Sequence, residues 1–445
     1  MTDTNVSTTA PGPQTTAATL PEGPKVPEGP RAQAGLQSPT LTFWQRTFAA
    51  LQYPNYRLWF IGQLVSLVGT WMQTSAQGFL IFKLTHSTIF LGYVGFAAGL
   101  PSLLFMLFGG VIADRVQRRN LLVITQGTMM VLAFILAALT FLQLVQPWHI
   151  VLLALALGTA NAFDAPASQA FVLELVERKE LTNAIALNST LFNLATVVGP
   201  IAAGLTYAAF GPAWCFTLNG LSFVAVIAAL VRMKPPAREL VARGQSALTQ
   251  LKEGVHYTLG HPLLRILMIV PAVGIVFSAT YATLLPAWAS DVLGGDAAVN
   301  GLLQSARGAG SLLSALMIAA VAHFGHRGRW LTVGTVVYPA LLLVFAAVRW
   351  LPLSLAALAG VGWGGMVFYN MANTLVQSHV QDELRGRVMS IYSLIVFGGM
   401  PLGALWSGAV AQLIGPPLTI VISASISLAF AVFFWVRAPQ LRRLA

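Results

Sequence analysis

The chain has 445 residues, of which 56% are hydrophobic and only 9% are charged. A soluble domain carries about 25% charged residues, so most of this chain lies out of water. The formal charge of +11 raises a nucleic-acid reading, but the basic residues sit in thin strips between apolar runs, not on a compact basic domain.

A spanning helix needs about 20 apolar residues, and the apolar runs here supply twelve such segments. Residues 1–40 are rich in Thr, Ala, Pro and Gly and hold no apolar stretch, so we expect a disordered cytoplasmic tail. Residues 41–55 read as an amphipathic lead-in with Phe43, Trp44 and Phe48 at the interface. The first span, about 57–83, carries Ser66, Thr70, Gln73, Thr74 and Gln77 on one face, extended by Gln63. Lipid does not accept three glutamines, so this stripe either glues helices together or lines a cavity.

The second span, about 88–113, is bent by Pro101 and leads into Gly109-Gly110-Val111-Ile112-Ala113-Asp114-Arg115-Val116-Gln117-Arg118-Arg119. One acid and three arginines there make a charged turn between two membrane helices. Gly110 and its neighbour allow close helix packing, and Asp114 needs a cationic or helix-terminal partner. The third span covers about 120–144. The fourth, about 149–170, places Asn161, Asp164 and Ser168 on one face at i, i+3 and i+7. The fifth, about 184–210, carries Ser189, Asn193 and Thr196, then a Gly199-Pro200 to Gly204 segment that permits close packing and a kink. The sixth covers about 213–231.

Residues 232–262 are too polar to span and read as a cytoplasmic linker with an amphipathic helix from Glu239 to Tyr257. Six further spans follow at about 264–289, 297–321, 330–350, 353–376, 387–413 and 416–436. Asn370, Asn373 and Gln377 repeat the polar spacing of the fourth span, and Pro401 with Gly408 loosely matches Pro200 with Gly204. His323-Phe324-Gly325-His326-Arg327-Gly328-Arg329 is an eroded copy of the charged turn without its acid. The expected domains are therefore a tail at 1–40, a six-helix bundle at 41–231, the linker at 232–262, a second six-helix bundle at 263–437 and a tail at 438–445.

With both termini on one side, every Lys and Arg except Lys83, Arg307 and Arg349 falls on that side, which the positive-inside bias makes the cytoplasm. The single cysteine, Cys215, lies in an apolar run and gives no basis for disulfides or thiol chemistry. No phosphate loop or nucleophile elbow is present, and His323 with His326 is a poor metal pair, so we expect no enzyme, no cofactor and no metal site. The functional signal is polar groups inside apolar spans. Asp164 could bind and release a proton, pair with a cationic substrate, or serve structure near a helix end. Arg307 could attract an anionic or catecholic substrate, balance Asp164, or snorkel to the interface.

The charged turn Gly109–Arg119 resembles the signature between the second and third helices of the major facilitator superfamily. Within it, the chain is similar to the enterobactin-exporter-like branch, the transmembrane secretion effectors. That likeness is carried by Gly69-Thr70-Trp71-Met72-Gln73, Asn183-Ala184-Ile185-Ala186-Leu187-Asn188-Ser189, Gly211-Pro212-Ala213-Trp214, and Asp382-Glu383-Leu384-Arg385-Gly386-Arg387-Val388-Met389-Ser390. The resemblance covers about residues 50–440. It implies an all-α membrane protein of the major facilitator fold, with 12 transmembrane helices in two six-helix bundles. It also implies export of a small amphiphilic molecule by alternating access, driven by protons, from the bacterial cytoplasmic membrane. Asp114 would then meet Arg385 and Arg387 at the start of helix 11 and, with Arg115, Arg118 and Arg119, form a gating loop. Gly199, Pro200 and Gly204 resemble the helix-5 element of exporting antiporters. Gln117 replaces the superfamily's usual glycine, and Ser168 and Thr196 stand where relatives often carry arginine. Gln63, Gln73, Gln77, Asn161, Asp164, Asn193, Arg307, Asn370 and Asn373 are the candidate cavity or coupling residues. We expect a monomer in the lipid bilayer whose partners are its substrate and protons. Uptake of a nutrient or lipid, or a non-transporting sensor, is the alternative.

Overall fold

Prolines open many of the helices, because a residue in the first turn needs no backbone donor and proline presets its torsion. The computed structural model describes residues 48–233, 247–279, 281–320 and 327–437. These residues are helical almost throughout, with no strand among them. The first half comprises α1 (Pro54–Thr85), α2 (Thr88–Arg115), α3 (Arg118–Phe141), α4 (Pro147–Leu175), α5 (Leu181–Phe210) and α6 (Pro212–Arg232). A short helix, α7 (Ala247–Gly260), precedes the second half. There α8 (Pro262–Val273) and α9 (Tyr281–Ala287) are each followed by a π-helical turn. They are followed by α10 (Ala297–Ala320), α11 (Arg327–Ala347), α12 (Leu351–Ser378), α13 (Asp382–Ile414) and α14 (Pro416–Arg437). The expected tails, and residues 234–246 and 321–326 with His323 and His326, lie outside the described residues.

Among the described residues, ten helical runs are long and apolar enough to cross a bilayer, the run Pro262–Val292 counting as one. α1 and α10 are of comparable length but are more polar. α1 carries Gln63, Gln73 and Gln77, and α10 carries Asn300, Gln304 and Arg307. All of these but Arg307 are buried, which is how helices that lipid would not accept alone sit in a bundle.

The two halves repeat one plan. α5 and α13 each contain an internal proline, Pro200 and Pro401. Each ends on a glycine with positive φ, +88° at Gly211 and +82° at Gly415, where an L side chain would be strained. A proline then starts the next helix, Pro212 or Pro416. Each half also has its own apolar core. In the first, Trp59 packs edge-on to Phe171 with ring centroids 5.4 Å apart, beside Leu122 and Phe223. In the second, Trp288 lies 4.4 Å from Phe345, with Leu358 and Val361 around it.

Candidate functional site

The halves meet along two seams, α2 against α13 and α5 against α10. Gly92 on α2 lies against the Ala404 carbonyl and the Gly408 backbone of α13, so the two helices approach backbone to backbone. Gly301 on α10 approaches the Pro200 carbonyl of α5, and Gly204 faces Ala297 and Ala298. Thus the Gly199–Gly204 element, whose Gly199 packs on Trp71 of α1, is an interhalf contact surface.

Among the described residues, hydrogen bonds between the halves run from the end of the bundle that carries the α1–α2 turn to the middle of α5. The Thr88 hydroxyl donates to the Gly408 carbonyl at 3.0 Å, and the Ser87 hydroxyl to Gln412 Oε1 at 2.7 Å. On the other seam the Gln304 amide donates to the Ser75 hydroxyl oxygen at 3.0 Å and to Asn300 Oδ1 at 3.2 Å. Asn300 also reaches Ser75 Oγ at 3.3 Å. The Ser305 hydroxyl donates to the Val197 carbonyl at 2.6 Å.

At the opposite end the described bonds of the charged residues stay within one half or run to α7. Arg118 pairs with Glu174 at 2.8 Å and donates to the Ala170 carbonyl at 3.0 Å. Arg119 donates to the Leu230 and Val231 carbonyls at 2.6 and 2.7 Å, satisfying the end of α6. Lys179, 2.9 Å from Glu177 in the exposed turn after α4, holds that carboxyl below its usual range. Arg385 pairs with Asp382 on its own helix, and Arg387 pairs with Glu253 of α7. Arg115 is exposed, and Gly110 has open space where a side chain would stand. Asp114 is in the last turn of α2, and its side chain lies outside the described residues.

Inside the first half, Asp164 is buried among uncharged donors. Thr125 and Gln126 of α3 donate to Oδ1 at 2.6 and 3.1 Å, and Ser168 donates to Oδ2 at 3.3 Å. Asp164 and Ser168 therefore act together, as their shared face predicts, while Asn161 is partly exposed. Gln73 accepts a 2.7 Å hydrogen bond from Asn219 of α6 and joins two helices of one bundle. Gln63 and Gln77 are buried. Asn193 is partly exposed and donates to the Ser189 carbonyl at 2.8 Å.

In the second half, Asn370 is partly exposed, as is Asn373, which accepts from Gln377 at 2.8 Å. Arg307 is partly exposed on α10, and Gly362 of α12 packs on its backbone carbonyl. Composition and spacing did not single out Ser75, Gln304 or Glu253. Ser75 lies off the α1 stripe, and a lone serine in an apolar helix carries no periodic signal. Asn300 and Gln304, four apart on α10, are the one spacing that could have pointed to the seam.

The chain matches the family described as "Transmembrane secretion effector" over residues 45–444. It is 23% identical over 401 residues to the staphyloferrin A transporter of Staphylococcus aureus (strain NCTC 8325 / PS 47), covering 85% of this chain and 95% of that protein. It is 26% identical over 380 residues to the enterobactin exporter EntS of Shigella flexneri, covering 84% of this chain and 88% of that one. In fold it resembles the nucleoside transporter NupG, with a TM-score of 0.70, 15% identity and coverage of 86% of this chain and 98% of that one. A bacterial homologue of the human lysosomal transporter Spinster, in an inward-facing and unoccupied conformation, gives 0.69 at 14% identity, covering 88% and 97%. A nearly all-helical chain, a repeated half, two glycine-lined seams and a family match over nearly its whole length lead to one conclusion: this multi-pass membrane protein belongs to the transmembrane secretion effector family of transporters, with the major facilitator fold.

Proposed function

We propose that the protein exports a small amphiphilic molecule, of the siderophore or drug kind, by proton-coupled alternating access. The observation that carries this reading is the one-ended seam. Hydrogen bonds join the halves at Ser75–Gln304 and Thr88–Gly408, whereas the described bonds of Arg119, Arg385 and Arg387 at the other end stay within one half or run to α7. Rocking α1–α6 against α8–α14 would exchange which end is closed. If the basic end is cytoplasmic, with both termini there, this state faces inward.

Export is supported by the Gly199-Pro200-Gly204 element at the seam and by a curated relative that is an exporter. Asp164 is the proposed proton site. It is a buried carboxyl whose described hydrogen-bond partners are neutral, so it can gain or lose a proton without breaking an ion pair. Asn161, Asn193, Asn370 and Asn373, all partly exposed, are proposed to border the substrate path, and the monomer is the proposed working unit.

The test is flux in everted vesicles and proteoliposomes across a panel of siderophores, dyes and macrolides under an imposed pH gradient. We expect gradient-driven accumulation in everted vesicles. Asp164→Asn should abolish the gradient dependence while substrate exchange persists. Uptake by intact cells without accumulation in everted vesicles would replace export by import, and intact pH-driven flux in Asp164→Asn would remove the proton role of Asp164.

A further inference from the structure

We propose that the second half holds an anionic phospholipid of the surrounding bilayer, with its phosphate among Arg265, Arg329 and Arg437 and one acyl chain in a crevice between α8, α11 and α14. The site goes beyond the transport reading and stands without it.

The crevice has two contiguous parts. The outer part, at the basic end, is lined by Ile266 and Leu267 of α8, Leu331 of α11, and Phe434 and Trp435 of α14. The inner part reaches Gly274 and Ser278 after α8, Tyr338 of α11 and Ser427 of α14. Val270, Thr335 and Ala431 line both, so one part runs into the other. Along α14 the step from Trp435 to Ser427 is about 12 Å at 1.5 Å per residue. Half of a hydrocarbon core of about 30 Å is about 15 Å, so the crevice is roughly one leaflet deep.

The backbone explains why the helices part here. Pro271 and Pro339 lie inside their helices, where a proline removes a helical hydrogen bond and crowds the preceding turn. α8 then passes into the π-helical turn Gly274–Ser278. Both prolines and the turn border the crevice. No charged residue lines either part, and the Thr332 and Thr335 hydroxyls donate to the Gly328 and Thr332 carbonyls of their own helix, each at 2.8 Å. Such a lining suits hydrocarbon and gives an ion no partner.

The rim differs. α8 carries exposed Arg265 beside Ile266, α11 carries exposed Arg329 two residues before Leu331, and α14 ends on exposed Arg437 two residues after Trp435. Arg437 lies over the Phe433 ring, 6.0 Å from its centroid. α8, α11 and α14 contain no Asp or Glu, and none of these three arginines is in an ion pair among the described residues. An apolar slot thus opens between three helices that each bring an unneutralised cation to its mouth. A phosphodiester supplies the negative charge and its acyl chain fills the slot. A zwitterionic lipid brings its own cation and a soluble phosphate brings no chain, so each satisfies half of the site.

The test is native mass spectrometry of purified full-length protein released from detergent and titrated with dioleoyl phosphatidylglycerol, dioleoyl phosphatidylcholine or glycerol 3-phosphate. Phosphatidylglycerol should bind roughly tenfold more tightly than phosphatidylcholine, and glycerol 3-phosphate should not bind measurably. Each of Arg265→Gln, Arg329→Gln and Arg437→Gln should weaken phosphatidylglycerol about fivefold, the effect of one basic residue near an anionic headgroup. Arg57→Gln with Arg178→Gln removes two exposed arginines of the first half and should leave binding unchanged. Ala431→Phe fills the segment that both parts share and should weaken both lipids. Equal binding of the two lipids would overturn the site, as would a triple arginine variant that binds phosphatidylglycerol like the wild type. An equal loss in the first-half control would mean general charge attraction and overturn it too, and so would a folded Ala431→Phe with unchanged binding. If Ala431→Phe does not fold, dibutanoyl phosphatidylglycerol decides, since binding as tight as that of the dioleoyl lipid leaves the crevice no part.

Discussion

Glu253 of α7 pairs with Arg387 at the start of α13, and Gly254 packs on the Arg387 carbonyl beside Ile391. The helix that precedes the second half is thereby docked on the helix that the family resemblance assigns to the cytoplasmic latch. In this state Arg387 is committed to the linker rather than to the charged turn after α2. In the proposed transport cycle, Asp114 would compete with Glu253 for the Arg387 guanidinium. Glu253→Gln should release Arg387 and favour closure of the basic end. The pair is partly exposed, so the bias is below about 1 kcal/mol, or roughly fivefold in population. Labelling of a cysteine at Asn193 reads it, since the native Cys215 is buried. Slower labelling in Glu253→Gln is expected, and an unchanged rate would leave the pair a docking contact only.

Ser75 accepts from both Asn300 and Gln304, so one hydroxyl closes the far end of the α1–α10 contact. Ser75→Ala removes both bonds. At about 0.6 kcal/mol for each bond within a membrane, the closed far end loses roughly 1 kcal/mol, a five- to tenfold shift toward opening. Distances between spin labels placed on the α1–α2 and α9–α10 turns should broaden to longer values.

Gly301 has the Pro200 carbonyl where a Cβ would stand. Gly301→Val should push α10 off α5 at a cost of about 1–3 kcal/mol, from overpacking. Transport should fall with normal insertion, and the spin-label distances across the far end should lengthen more than in Ser75→Ala. Wild-type flux would mean that this seam yields without consequence.

Gln73 and Asn219 satisfy each other between α1 and α6. Gln73→Leu leaves the Asn219 amide without that acceptor and should lower stability by about 1 kcal/mol. Gln73→Leu with Asn219→Leu should recover much of the loss, since an unmatched polar group costs more than a matched apolar pair. Substrate affinity that falls in both variants with unchanged melting would instead place Gln73 in the cavity.

The polar stripe on the first span was legible because lipid accepts no glutamine, so Gln73 needed a partner from somewhere. That the partner is Asn219, 146 residues away, was not legible, because helical periodicity reports only on neighbours within a few turns. Asp164 and Ser168 fell on one face by spacing alone, but Thr125 and Gln126 came from α3 and needed the packed bundle.

By itself, the sequence determined the helical class, the repeated half and the strip-like charge. Each is a property of composition or of spacing along one helix. Only the tertiary structure decided which polar residues meet across the seams and that Arg387 is held by Glu253. Contacts between residues more than a hundred positions apart leave no trace in hydrophobic periodicity, which reports on spacing along one helix. Arg307 was visible in the sequence as a lone charge. That Gly362 of α12 packs on its backbone carbonyl appeared only once the helices were brought together.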